Sequence, residues 1–336
     1  MTELIKQLCM LDGTSGDEKT VREFIIEQIK PFCEYNVDNL GNIIAFKKGE
    51  NRPSKKIMLD AHTDEVGFII TGITAEGFLK FSTVGGINTA VLTNRRVVIN
   101  GETMGAIGMR PVHLSKGDEG KKLPSADKLY IDIGAKDKEQ AMSVVKLGDC
   151  GVMCSDFHVS GNKVLSKALD DRVGCAILIS LLKNYSKYDF YAVFSTQEEV
   201  GLRGAKAAAY TVDPQYAIIL EGTTAADIAG VADEKRVCVL GDGAAVSFMD
   251  GATLYDKDLY NAAIKSGIKC QTKRAVSGGN NSGAVHLSRG GVRCVAVSVP
   301  CRYIHSAQSV CDTEDIDSAY RLAEYLLDGI ASGEIV

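Results

Sequence analysis

The stretch DFYAVFSTQEEVGLRGAKAAAYTVDPQYAIILEG (189–222) decides the fold class. DFYAVFS (189–195) reads as a short apolar strand, LRGAKAAAY (202–210) as a helix and YAIILEG (216–222) as a second apolar strand. Strands that are apolar almost throughout, separated by a helix, belong to a sheet covered on both faces, so the class is α/β. Outward from this unit the alternation continues. On the C-terminal side come a strand, VRCVAVSV (292–299), and an amphipathic helix, DIDSAYRLAEYLLDGI (315–330). On the N-terminal side come NIIAF (42–46) and KIMLDAH (56–62) as strands and DDRVGCAILISLLKNY (170–185) as a helix. An earlier helix carries Val21, Phe24, Ile25, Gln28 and Ile29 at helical spacing and stops at Pro31. Ser15 with Glu18 three residues later predicts a capping box at its start.

Between these segments the character changes. FIITGI, FLKFSTV, RRVVI and KLYIDIGA are short β-like runs punctuated by glycines. Only DKEQAMSVVKL (137–147) reads as a helix there, and HLSKGDEGKK (113–122) is a polar loop. The expected organisation is one α/β domain, 1–66 plus 164–336, interrupted by a β-rich insertion, 67–163.

Composition bounds the function. Over 336 residues, 45% hydrophobic and 24% charged content excludes collagen-like or disordered chains. A net charge of −5 argues against a dedicated nucleic-acid binder. No run of 18 apolar residues predicts a membrane span, and MTELIKQLCMLDGTSGDE does not read as a secretory signal. The ten cysteines form no CxxC pair and sit mostly in apolar runs, which predicts free, reduced thiols in the cytoplasm.

Ligand sites in open α/β sheets lie outside the carboxyl ends of the strands. Four places put polar side chains there. In LDAHTDEVG (59–67), His62 and Asp64 are two apart and share a face of a continuing strand. An imidazole can ligate a metal while a carboxylate orients it; a surface turn is the plain alternative. In KALDDRVG (167–174), Asp170 and Asp171 sit at a helix start, where one carboxylate suffices as a cap and the other is free for a site. In FSTQEEVGLRGA (194–205), Glu198 and Glu199 adjoin each other straight off an apolar strand, an arrangement that costs energy unless a cation or an opposing dipole compensates; a solvated surface pair is the plain alternative, and a metal or a raised pKa the functional one. One could bind metal while its neighbour acts as a general base. In PCRYIHSAQ (300–308), His305 follows a strand, and Glu221 ends the strand YAIILE. His62, Asp170, Glu199, Glu221 and His305 together suit two divalent cations sharing a bridging carboxylate, with Zn²⁺, Co²⁺ or Mn²⁺ as candidates.

The segments AHTDEVG, ALDDRVG, QEEVGLRGA and RYIHS, in this order, resemble the M42 family of metallo-aminopeptidases, the glutamyl or deblocking aminopeptidases, some of which are labelled endoglucanase M. The resemblance covers essentially the whole chain, including IGMRPVHL (107–114). It implies a zinc-exopeptidase-like α/β sandwich with a mixed central sheet and an inserted PDZ-like or β-barrel-like oligomerisation domain. It implies that His62 and Glu221 bind one metal, Glu199 and His305 the other, and that Asp170 bridges them. Glu198 would be the general base on a metal-bridging water, and Asp64 would orient His62. It also implies short peptide substrates and a homo-oligomer, a tetrahedral dodecamer in many relatives. Two positions depart from the pattern: Glu221, where many relatives carry aspartate, and Asn281, where relatives often carry aspartate.

The other histidines, His113, His158 and His286, read as solvated or structural. Cys175 and Cys301 lie near proposed ligands but have no spacing partner for metal binding. Arg302 and Lys206 are candidate contacts for an acidic substrate side chain, with a solvated cation as the alternative. Rival functions are glycoside hydrolysis, which needs two carboxyl groups on opposite sides of a sugar, and a degenerate assembly scaffold of the same fold.

Overall fold

A computed structural model describes residues 1–111, 125–276 and 278–335; the loop 113–122 with His113 lies outside the described residues. The helices are α1 (Thr2–Cys9), α2 (Lys19–Ile29), α3 (Lys138–Val144), α4 (Leu169–Asn184), α5 (Arg203–Val212), α6 (Lys257–Lys265), α7 (Ser282–Val285) and α8 (Thr313–Ser332). The first nine strands are β1 (Glu34–Val37), β2 (Ile43–Lys47), β3 (Ile57–His62), β4 (Gly67–Ile73), β5 (Leu79–Val84), β6 (Arg96–Ile99), β7 (Thr103–Gly108), β8 (Tyr130–Asp132) and β9 (Cys150–Met153). They are followed by β10 (His158–Ser160), β11 (Lys163–Ser166), β12 (Phe190–Ser195), β13 (Tyr216–Thr224), β14 (Ala244–Val246), β15 (Cys270–Thr272), β16 (Arg293–Arg302) and β17 (Ser309–Asp312).

The main sheet runs β1-β2-β12-β3-β13-β16-β17-β11-β10, with β14 and β15 joined to β16. Its centre, β12-β3-β13-β16, is parallel, and the flanking pairs are antiparallel. The sheet is therefore mixed. One side packs α2, α4 and α8 into the larger core, where α4 buries Val173, Ile177, Leu178, Leu181 and Leu182 completely. The other side receives α5, whose Ala205, Ala208 and Ala209 pack on Met58, Val193, Ala217 and Ile219. Alanine on the contact face lets α5 lie close to the sheet. The two-residue period of β3 sends Ile57, Leu59 and Ala61 to the α4 side, and Met58, Asp60 and His62 to the α5 side.

Strands β4-β5-β8-β7-β6-β9 close into an antiparallel barrel filled by Phe68, Ile70, Leu79, Val97, Ile99, Ile107 and Ile131. The barrel strands end at Met153, whereas β10 pairs with β11 in the main sheet. The β-rich stretch expected over 67–163 thus contains a barrel and the first strand of the return into the main sheet. Hairpin β10–β11 looks no different in sequence from the barrel hairpins, so its partner sheet was not legible.

The capping box expected at Ser15 and Glu18 does not form. Helix α2 starts at Lys19 with Glu18 as N-cap and no side-chain cap bond. Ser15 donates instead to Asp64 Oδ2 (2.6 Å), and Glu18 accepts from the Gly16 and Gln197 amides. The helix begins three residues too late for Ser15 to be its N-cap, and the hydroxyl is free to donate to the buried carboxylate.

Candidate metal and active site

The four parallel strands at the sheet centre end on one edge, and the candidate residues arrive there from separate elements. His62 is the last residue of β3, Glu221 lies in β13, Glu198 and Glu199 follow β12, and His305 follows β16. Asp170 comes from the turn between β11 and the regular part of α4, where Asp170 and Asp171 have non-helical backbone angles and are joined by a cis peptide. Asp171 takes the capping role: its Oδ1 accepts from the Gly174 amide (3.0 Å) and its Oδ2 from the His62 amide (3.2 Å). Asp170 is left facing the cleft.

Around His62 the Nε2 atom lies 3.3 Å from Asp170 Oδ1 and 3.2 Å from Glu221 Oε1. Around His305 the Nε2 atom lies 3.2 Å from Glu199 Oε2 and 3.8 Å from Asp170 Oδ2. Both imidazoles are oriented through their other nitrogen: His62 Nδ1 meets the Asp64 carbonyl (3.1 Å), and His305 Nδ1 meets the Gly86 carbonyl (3.0 Å). Each ring thereby keeps Nε2 available toward the carboxylates.

Asp64 ties the site together. It is fully buried, approaches His62 Nδ1 at 3.3 Å, and accepts from the Ser15 hydroxyl and from the amides of Glu198 (3.0 Å) and Glu199 (3.1 Å). Burial alone would raise its pKa, but the His62 ring, the Ser15 hydroxyl and the Glu198 amide hold the carboxyl below its usual range. The Glu198 carboxyl is pushed the other way, up to about 8, by burial and then by Glu199, Asp170 and Asp64, against an opposing pull from His62. Glu221 rises well above its usual value through burial and the nearby Asp170. His62 rises despite its burial because Glu221, Asp170 and Asp64 surround it, and His305 is raised to about 9, burial being outweighed by Glu199 and Asp170.

The donor set fits divalent cations. The ligand-capable atoms of His62, Asp170 and Glu221 lie within 4.8 Å of one another, as do those of Asp170, Glu199 and His305. Two ligands at ~2.1 Å from a tetrahedral ion stand about 3.4 Å apart, close to the 3.2 and 3.3 Å found around His62. Buried Glu221 Oε2 has no hydrogen-bond partner among the described residues. The longer glutamate at 221 still reaches the cluster, so its extra methylene does not remove it from the set. Glu198 is the carboxylate of the cleft whose oxygens make no hydrogen bond or ion pair among the described residues.

The cleft above the cluster has a volume of about 580 Å³ and is lined by Gly86, Asn88, Thr223, Lys273, Asn280 and Ile304 among others. Asn281 is not in it. Buried behind β3, it donates to Asp60 Oδ2 (2.7 Å) and Ser195 Oγ (2.8 Å). Arg302 is committed to Asp227 through two 2.7 Å bonds, and Lys206 lies in a separate groove between α5 and α7. His158 is exposed on β10, and His286 Nδ1 meets the Ser282 carbonyl. All ten cysteines are free; Cys175 donates to the His62 carbonyl (3.1 Å), and burial pushes its thiol well up.

Residues the sequence did not mark are Ser15, Gly86 and Lys273. None stands at the end of an apolar strand of the parallel sheet, the signal that found the others. Ser15 carried a competing local reading as a cap.

Among known proteins, the family model of the M42 glutamyl aminopeptidases matches residues 41–322. The lysyl aminopeptidase of Pyrococcus furiosus is 30% identical over 97% of this chain and 96% of its own. A TET aminopeptidase from a marine-sediment archaeon of the Thaumarchaeota superposes with a TM-score of 0.93 at 34% identity, covering 98% of both chains. The TET1 peptidase of Pyrococcus horikoshii, described as able to assemble into a tetrahedron or a large octahedral shell, superposes at 0.84 with 34% identity, over 96% of this chain and 98% of that one. Motif order, sheet, barrel and near-complete coverage agree, and the chain belongs to the M42 family of aminopeptidases, hydrolases of the peptide bond.

Proposed function

We propose that the protein is a dinuclear metal-dependent aminopeptidase that removes N-terminal residues from short peptides. The observation that carries the reading is the posture of Asp170, whose Oδ1 faces His62 and whose Oδ2 faces His305. A carboxylate with one oxygen toward each of two imidazole-carboxylate groups is the arrangement of a bridging ligand. His62 and Glu221 hold one ion, Glu199 and His305 the other, with Zn²⁺, Co²⁺ or Mn²⁺ suited to the nitrogen and oxygen donors. When bound, such a pair supplies Lewis acidity toward the scissile carbonyl, an anchor for the free α-amine and a lowered pKa for water.

The remaining roles belong to the chain. Glu198, held through its amide by Asp64, offers a carboxylate oxygen with no hydrogen-bond partner among the described residues to take a proton from water and deliver it to the leaving amine. Asp64 positions the His62 ring and both glutamates at once. Glycoside hydrolysis finds no support: Glu198 and Glu199 both approach His62 within 4.8 Å, and among the described residues the cleft is lined by no carboxylate outside the cluster of Asp170, Glu198, Glu199 and Glu221. A degenerate scaffold is disfavoured by a complete donor set. The TET neighbours, one of which can assemble into a tetrahedron or a large octahedral shell, support a homo-oligomer, and the ten free thiols support a cytoplasmic home.

The test is Glu198→Gln on enzyme reconstituted with Zn²⁺, Co²⁺ or Mn²⁺. Metal content by elemental analysis should match the parent, and kcat should fall by at least about 100-fold, in line with loss of a general base. Near-parental kcat with intact metal content would remove Glu198 from the role.

A further inference from the structure

In the turn that follows β12, successive amides donate to side chains of other elements. The Thr196 amide goes to Asn42 Oδ1 (2.9 Å), the Gln197 amide to Glu18 Oε1 (3.2 Å), the Glu198 amide to Asp64 Oδ1 (3.0 Å) and the Glu199 amide to Asp64 Oδ2 (3.1 Å). Gln197 stands in the left-handed region, with φ at 55°. That conformation is unfavourable for a residue with a Cβ and persists only where its surroundings impose it. It lies directly between the end of β12 and Glu198, so the direction in which the Glu198 side chain leaves the backbone depends on it.

Glu18 supplies the acceptor for that residue from 179 positions away. It is only 3% exposed and makes no ion pair among the described residues. It is also the N-cap residue of α2, yet its carboxylate forms no cap bond to the helix. Oε1 accepts instead from the Gly16 amide (2.7 Å) and from the Gln197 amide. A carboxylate buried without a cation is unfavourable, and charge-assisted bonds from backbone amides are what offset it. A helix cap would use the helix's own amides, and a solvated acid would need no partner. Ser15, in the same short segment, reaches Asp64, which holds the next two amides of the turn. The segment therefore grips the turn at two successive points.

We infer that Glu18 is a positioning residue for the reaction, which holds the Gln197 amide and thereby aims the Glu198 carboxylate. This rests on the general-base reading of Glu198 above. Glu18 touches neither the cleft nor the cluster; it acts through the turn. Without its acceptor, Gln197 relaxes out of the left-handed region and the Glu198 side chain loses its direction. Glu199 keeps its anchor on Asp64, and the other proposed metal ligands come from elements that Glu18 does not contact. Loss of turnover with metal retained is the signature.

The experiment uses the full-length, metal-loaded protein and the aminoacyl-p-nitroanilide that it hydrolyses fastest. Glu18→Ala, and Glu18→Asp with its shorter reach, are expected to lower kcat about 10- to 100-fold, with KM within about 3-fold of the parent and metal content by elemental analysis unchanged. Glu18→Gln, whose amide oxygen can accept from the same two amides, should return kcat to within about 3-fold of the parent. In a Glu198→Gln background, Glu18→Ala should lower kcat by less than about 3-fold, because the group it aims is already gone. A merely structural role would lower the denaturation midpoint without producing that non-additivity or the rescue by glutamine. The inference is overturned if Glu18→Ala and Glu18→Asp keep parental kcat, if Glu18→Gln falls as far as Glu18→Ala, or if the Glu18→Ala loss multiplies in full on Glu198→Gln. Should Glu18→Ala not fold, Glu18→Asp takes its place in every comparison. Inactive Glu198→Gln beside fully active Glu18 variants overturns this inference alone, whereas fully active Glu198→Gln overturns the general-base reading and this inference with it.

Discussion

Asp64 does more in this site than any residue expected to bind metal. Its carboxylate reaches the His62 ring, the Ser15 hydroxyl and the amides of two successive glutamates. Removing one charge-assisted donor from a buried carboxylate costs about 1.5–3 kcal/mol. Ser15→Ala is therefore expected to lower kcat/KM about 10-fold or more while leaving metal content intact, measured by steady-state kinetics beside elemental analysis. Unchanged kinetics would mean that the peptide backbone alone holds the Glu198–Glu199 turn. Local pattern made His62, Asp64, Asp170, Glu198, Glu199, Glu221 and His305 legible because each follows or ends an apolar strand or opens a helix. The same local logic misassigned Ser15, whose three-residue spacing to Glu18 mimics a cap.

At the scale of elements, the site depends on how closely the turn carrying Asp170 approaches β13. Gly222 sits directly beneath that turn: a Cβ there would lie 2.9 Å from both Cα and Cβ of Asp170. A backbone atom cannot rotate away, so Gly222→Ala must displace Asp170. The expected result is a loss of about 1–3 kcal/mol in stability from overpacking, together with weaker metal binding in a competitive chelator titration. Parental affinity would show that the turn has slack. The same turn is pinned from behind by Glu65, which lies 2.6 Å from Lys167 and 3.4 Å from Arg172, all three buried. Glu65→Ala leaves two buried cations short of their counter-charge and is expected to cost about 3–5 kcal/mol, read as a lower midpoint in chemical denaturation. The helices and strands themselves were legible wherever periodicity was long, as in α4, α5, α8, β3, β12 and β13. Strands of three or four residues, such as β10, β14 and β15, carry too few periods to declare a partner.

For the molecule as a whole, metal binding at the acidic cluster, as proposed above, would link folding to metal. Ions that bind the folded chain stabilise it by about 2.7 kcal/mol at a hundredfold excess over Kd. Removing metal with a chelator is expected to lower the melting temperature by several degrees, and adding Zn²⁺, Co²⁺ or Mn²⁺ back should restore it in calorimetry. A melting temperature indifferent to both would contradict metal binding at these residues. Among the described residues no helix is long and apolar enough to cross a membrane. The barrel meets the site through its own loop, since Gly86 contacts His305 and Asn88 and Val91 line the cleft. An insertion that a linear reading separates from the chemistry therefore contributes one wall of it.

By itself the sequence determined the α/β class, the interruption by a β-rich unit, the family and the residues at the strand ends. It could do so because a parallel sheet turns each apolar run that ends in a polar residue into a position on one shared edge. The tertiary structure alone decided the strand order that seats His62 next to Glu221, the orientation that gives Asp170 one oxygen for each imidazole and the diversion of Ser15 to Asp64. Each of these joins residues far apart in the chain, and a contact made by folding leaves no mark in the periodicity or spacing of either partner.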